Sequence, residues 1–181
     1  AMEAIYSMRT EGLARSRTMK AEIRFAAAVL LLLGITLFQM AGLPQPVTGP
    51  AVNAALFTAA LWLGPWYAVA VGMCTPVVAF ARGILPAPLA PMIPFIALGN
   101  GLMVGLFALA GRRFGTALGV VAGSVAKFIL LATAVNVFVQ IPQPAMVMMQ
   151  WPQLLTALGG GFLVVAVHYG WQKPRRHGDS K

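Results

Sequence analysis

Residues 51–83 read AVNAALFTAALWLGPWYAVAVGMCTPVVAFARG, a stretch with no charge before Arg82 and one clear break, at Gly64-Pro65. Taken as a single apolar run it crosses a bilayer once; taken as two helices hinged at the break it goes across and back. Proline removes a backbone donor and biases the preceding residue away from helix, so the break is a natural helix stop. Trp62 and Trp66 flank it at the level where interfacial aromatics belong, which favours a hairpin tip. Against this, the arm 51–63 is only roughly 20 Å long at 1.5 Å per residue, short of a full crossing.

The cations decide between the two readings. Proline and glycine divide the chain into apolar segments at 23–42, 51–63, 66–83, 92–110, 116–140 and 152–171. Of the 13 Lys and Arg residues, only Arg82 and Lys127 fall inside these segments, apart from Arg24 at the mouth of the first. The rest lie in the N-terminal stretch (Arg9, Arg15, Arg17, Lys20, Arg24), between the fourth and fifth segments (Arg112, Arg113) and at the C-terminus (Lys173, Arg175, Arg176, Lys181). The connections 43–50, 84–91 and 141–150 carry no charge. With 51–83 as a hairpin, six crossings put every one of these cations on one side; with a single crossing, Arg112 and Arg113 would face away from the N-terminal tail. The positive-inside rule then predicts six transmembrane helices, both termini cytoplasmic and the three proline-rich connections outside. The first segment has no Ala-x-Ala site after it and is read as an anchor, not a signal peptide. Expected organisation is a basic tail over 1–20, a membrane domain over 21–172 and a second basic tail over 173–181. Met19-Lys20 resembles a natural start, so residues 1–18 need not all be native.

Composition agrees with this class. The chain has 181 residues, 59% hydrophobic and only 9% charged, which cannot cover a water-facing surface. A net charge of +9 can signal nucleic acid, but here it sits in tails and one loop, where anionic lipid headgroups account for it, so no nucleic-acid partner is expected. Cys74 is the lone cysteine, leaving neither a disulfide framework nor a cysteine metal site. The acidic residues Glu3, Glu11, Glu22 and Asp179 are terminal or open the first helix. The absence of a carboxylate deep in the membrane argues against an acid-based ion-coupled carrier and a carboxylate metal site. No Gly-x-x-x-x-Gly-Lys-Ser/Thr loop occurs, so any ATP-driven work needs another subunit; no cofactor is expected.

Inside the segments a few residues stand out. Gly115, Gly119 and Gly123 recur every four residues and predict close approach of a neighbouring helix, and Lys127 continues the row. A lysine near mid-span should face the bundle interior, a partner or a water-filled cavity, with snorkelling or carbonyl pairing as the plainer reading. Gly72, Thr75, Ala79 and Arg82 share a small, polar face of the third helix, Arg82 being either part of it or a headgroup contact. Asn100, between Gly99 and Gly101, makes either an interhelical hydrogen bond or a ligand contact. Thr133, Asn136 and Gln140 share a face of the fifth helix, and Asn136 lies about 180° from Lys127 on an ideal helix. Asn53 opens the second helix, and Gln143 and Gln150 lie in or beside the third outward loop, as ligand contacts or as capping and loop groups. Two intramembrane cations without acidic partners tilt any ligand toward a carboxylate or phosphate. Ser124 and His168 invite a comparison with membrane proteolysis, but they sit at depths differing by roughly 10 Å and the Gly-x-Ser-Gly pattern is missing, so no catalytic residues are assigned.

Six helices in a short chain with three outward loops rich in Pro, Gly and amides resemble the S components of energy-coupling factor (ECF) transporters, over residues 20–172. The segments Thr48-Gly-Pro-Ala-Val-Asn53 and Pro88-Leu-Ala-Pro-Met-Ile-Pro94 to Leu98-Gly-Asn100 look like the loop-to-helix transitions of that family. The resemblance implies an S-component-like bundle in a prokaryotic plasma membrane, capturing a vitamin or related micronutrient at the outer face and working with a T subunit and two ATPase subunits. It implies substrate contacts at Asn53, Arg82, Asn100, Lys127, Asn136 and Gln140. The Ala-x-x-x-Ala docking surface of the family's first helix has no match: Ala26, Ala27 and Ala28 are consecutive, and the nearest small row is Ala55 and Ala59 in the second helix. A non-transporting membrane scaffold and a solitary facilitator remain the alternatives.

Overall fold

Proline and glycine punctuate the fold as expected, but several helices begin earlier or end later than the apolar segments do. The computed structural model describes residues 20–172. The tail residues outside that range, with Arg9, Arg15, Arg17, Lys173, Arg175, Arg176 and Lys181, lie outside the described residues. The helices are α1 (Ala21–Met40), α2 (Gln45–Trp62), α3 (Pro65–Ala81), α4 (Ile93–Phe114), α5 (Thr116–Thr133), α6 (Gln143–Met148) and α7 (Trp151–Gln172). A 3-10 helix, Ala87–Met92, leads into α4, and a π-helical turn, Ala134–Phe138, extends α5. No strand occurs among the described residues. Among the described residues, six helices of membrane-spanning or near-spanning length make an all-α membrane bundle.

The doubtful second segment is longer than its apolar part. Pro46 sits in the first turn of α2, where a missing N–H costs nothing, so the helix starts at Gln45 and its 18 residues reach roughly 27 Å. Most of the connection 43–50 is therefore helix. Similarly, α4 continues to Phe114, so Arg112 and Arg113 occupy its last turn, where cations complement the helix dipole. The α4–α5 link is Gly115 alone, at φ 95°, and the α2–α3 link turns at Gly64, at φ 100°; both are backbone states glycine adopts without strain.

Up-and-down connectivity gathers the helix ends into two groups. At the basic end, the Tyr67 hydroxyl donates to the Ala21 carbonyl at 3.3 Å, and Gly64 lies beside Arg24. Gly115 lies beside the hydroxyl of Tyr169 near the end of α7. Trp62 and Trp66 project there, 77% and 83% exposed, as interfacial aromatics do. The other end carries the proline-rich connections, the 3-10 helix and α6.

Between lipid-facing helices there is little hydrophobic drive, so packing depends on close van der Waals contact. Glycine supplies it. On α5, Gly119 and Gly123 lie against the Phe107 and Met103 carbonyls of α4, where any Cβ would collide with backbone. On α7, Gly160 meets the Pro50 carbonyl of α2, and Gly161 is pressed against Val120 and Phe57. Gly115, the first of the predicted row, is an exposed turn residue instead of a packing one. Ala59 is buried, Ala27 and Ala55 are partly buried, and Ala26 is exposed on α1. The basic half of the bundle is closed by Leu56, Phe57, Met103, Val104, Phe107 and Val120, each at most 2% exposed, with the Phe57 and Phe107 rings 4.8 Å apart.

Candidate functional site

Above this apolar floor, toward the proline-rich end, the helices part around a cavity of about 360 Å³. Its polar wall comes from six helices: Gln39 of α1, Gln45, Thr48 and Asn53 of α2, Thr75 of α3, Asn100 of α4 and Lys127 of α5, with α7 besides. Gln153 of α7 adds a further amide, and Leu85, Pro86, Leu89, Met148 and Met149 close the cavity from the connections.

A proline inside α3 explains how one of these polar groups is drawn in. Pro76 has no N–H for the carbonyl of Gly72 four residues earlier, and that carbonyl instead accepts a 2.9 Å hydrogen bond from Asn100 Nδ2. Glycine at 72 lets the asparagine come this close, since a Cβ there would lie 3.2 Å from that of Asn100. In α2, Pro50 withholds a donor from the Pro46 carbonyl, and Asn53 Nδ2 donates back to the Gly49 carbonyl of its own helix at 2.9 Å. With its amide nitrogen so engaged, Asn53 turns its Oδ1 to Lys127 and accepts a 3.0 Å hydrogen bond from Nζ. Lys127 is 3% exposed, and Gly99 of α4 gives its side chain room. Among the described residues the only carboxylate side chain is Glu22, at the far end of α1, so this ammonium has no acidic partner there.

Of the six positions expected to touch a ligand, Asn53, Asn100 and Lys127 share the cavity. The other three do not line it. Arg82 caps α3 and is exposed. Asn136 is exposed, with Nδ2 donating to the Ala132 carbonyl at 2.6 Å, and Gln140 is exposed beyond the π-helical turn. Gly72, Thr75 and Ala79 are buried on α3 as their spacing predicts, but the face ends before Arg82. Sequence reasoning misses Gln39, Gln153 and Thr156; Gln39 and Gln153 line the cavity, and Thr156 is buried one turn from Gln153. Glutamine in the last turn of one apolar helix and the first turn of another at the same end is the available signal.

A second hollow of about 560 Å³ opens between α2 and α7 near the basic end, walled chiefly by Leu61, Trp62, Leu163, Val164 and Val167. It has few polar groups, and its exposed tryptophan suits a lipid-facing groove. His168 borders it, with its ring 5.7 Å from that of Tyr169. Ser124 is fully buried and its hydroxyl has no hydrogen-bond partner, so the two residues form no dyad. No cluster of three potential metal ligands exists among the described residues.

No known protein family, no curated protein and no solved structure matches this chain.

Proposed function

We propose that this chain is the substrate-binding membrane subunit of an ATP-driven importer of the energy-coupling factor type, holding a small polar solute in the cavity between its helices. The observation that carries the reading is a polar cavity with a buried, carboxylate-free ammonium inside an otherwise apolar bundle. Its volume of about 360 Å³ falls within the roughly 300–1,000 Å³ of small-molecule sites. Burying Lys127 and two asparagines is costly in a membrane and is characteristically functional.

The distribution of cations supports an orientation with Arg24, Arg112 and Arg113 toward the cytosol, so that the cavity opens outward beneath the proline-rich connections. Those connections are the natural lids over a bound solute. Energy would come from a T subunit and two ATPases, since this chain has no nucleotide loop of its own. A scaffold would bind other helices through its glycine rows, and Gly119 and Gly123 of α5 are already filled within the chain by α4. A solitary facilitator would need a path past Phe57, Met103 and Phe107, which fill the bundle below the cavity.

Native mass spectrometry of the purified chain tests the reading. Retention of a water-soluble molecule in one-to-one ratio is the expected result, along with co-purification of a T-type membrane protein and an ATPase pair when these are expressed together. Co-purification with an unrelated membrane complex and no bound solute would instead favour a scaffold.

A further inference from the structure

The hydrogen bonds at the cavity fix which groups are left over. Amide orientation is set by partners, and the Gly72 carbonyl can only accept, so Asn100 must present its Nδ2 to Gly72 and its Oδ1 elsewhere. That oxygen is enclosed and has no hydrogen-bond partner, although Asn100 is 4% exposed and forms part of the cavity wall. Asn53 is oriented by the same logic, because Lys127 can only donate; both ends of its amide are used. Lys127 spends one of three donors on Asn53 and faces no carboxylate among the described residues. Gln39 adds another enclosed, unpartnered oxygen on the same cavity. The site thus offers one cation with spare donors, the enclosed Asn100 oxygen, and the amides of Gln39, Gln45 and Gln153, which can donate as well as accept.

We propose that the cavity takes a small organic anion, a carboxylate or phosphate monoester, that also carries an N–H or O–H donor, the anionic group resting on Lys127 Nζ and the donor on Asn100 Oδ1. The inference rests on the solute-capture reading above and narrows it. An anion alone would satisfy Lys127 but leave the asparagine oxygen unpartnered; a neutral amide would partner that oxygen but leave the Lys127 charge uncompensated. Each omission is expensive in a buried site, which is how such a site rejects the wrong ligand. Arg82 has no part in it, being exposed and off the cavity wall.

The full chain in detergent is dialysed against pools of water-soluble metabolites sorted as anions with donors, anions without donors, neutral molecules and cations, then analysed by native mass spectrometry. Retention from the first pool only is expected. Lys127→Gln, which keeps a hydrogen-bonding group for Asn53 while removing a charge from the membrane, should weaken the retained molecule by about tenfold or more without lowering the melting temperature. Retention of a neutral or cationic solute, or of an anion whose affinity is unchanged in Lys127→Gln, overturns the assignment and leaves solute capture standing. A phospholipid held in place of a soluble molecule, and released by the same substitution, overturns both the assignment and solute capture. Failure of a well-folded protein to retain anything from any pool overturns both.

Discussion

Because Pro76 cannot donate to the Gly72 carbonyl, the side chain of Asn100 is recruited across from α4, and one missing hydrogen becomes an interhelical tie. A double-mutant cycle isolates it. Asn100→Leu should lower stability by about 1 kcal/mol, because it strands that carbonyl. In a Pro76→Ala background the helix supplies its own donor, so the same substitution should cost markedly less; equal losses in both backgrounds, measured by thermal or SDS unfolding, would refute the tie. Lys127 and Asn53 form a comparable pair, joined over 74 positions of sequence. Asn53→Leu leaves the ammonium without its acceptor and should cost about 1–3 kcal/mol, much of it recovered when Lys127→Leu is added. That Lys127 must face inward was legible in the sequence, because a mid-span charge has few places to go. Its partner was not, since an asparagine at a helix entrance reads equally well as a cap. Asn136 and Gln140 resembled ligand contacts because they share a polar helix face, but a face defined by ideal periodicity loses its phase where α5 gives way to a π-helical turn.

At the scale of the helices, the crossings were readable because Pro and Gly act locally, whereas their limits were blurred for the same reason: proline in a first helical turn looks like loop. Hence α2 gained its opening residues, from Gln45 on, and α4 took in both arginines of the basic end. Glycine rows told which helices come close without telling which neighbour fills them. Gly123 fills that role against Met103, while a Cβ on Gly34 of α1 would meet nothing within 4 Å. Gly123→Ala should therefore destabilise the bundle by about 1–3 kcal/mol through overpacking, whereas Gly34→Ala should be neutral or slightly stabilising, as glycine costs about 1 kcal/mol relative to alanine inside a helix. Melting curves of the two variants side by side make the comparison, and equal effects would argue against the α4–α5 contact described.

For the molecule as a whole, the segregation of charge makes a topological forecast. Cysteines placed at Ala87 and Gln143 in a Cys74→Ser background should react with a membrane-impermeant thiol reagent added to intact cells, and one at Arg112 only after the membrane is opened. Labelling of position 112 from outside would invert or break the proposed orientation. The apolar floor of Phe57, Met103, Phe107 and Val120 has a bearing on physiology. Its side chains are apolar and each at most 2% exposed, so they fill the described bundle between the cavity and the basic end. On the solute-capture proposal, a cell producing this protein in abundance should keep its membrane potential, and a solute resting on Lys127 would pass the floor only by rearrangement of whole helices instead of by leakage.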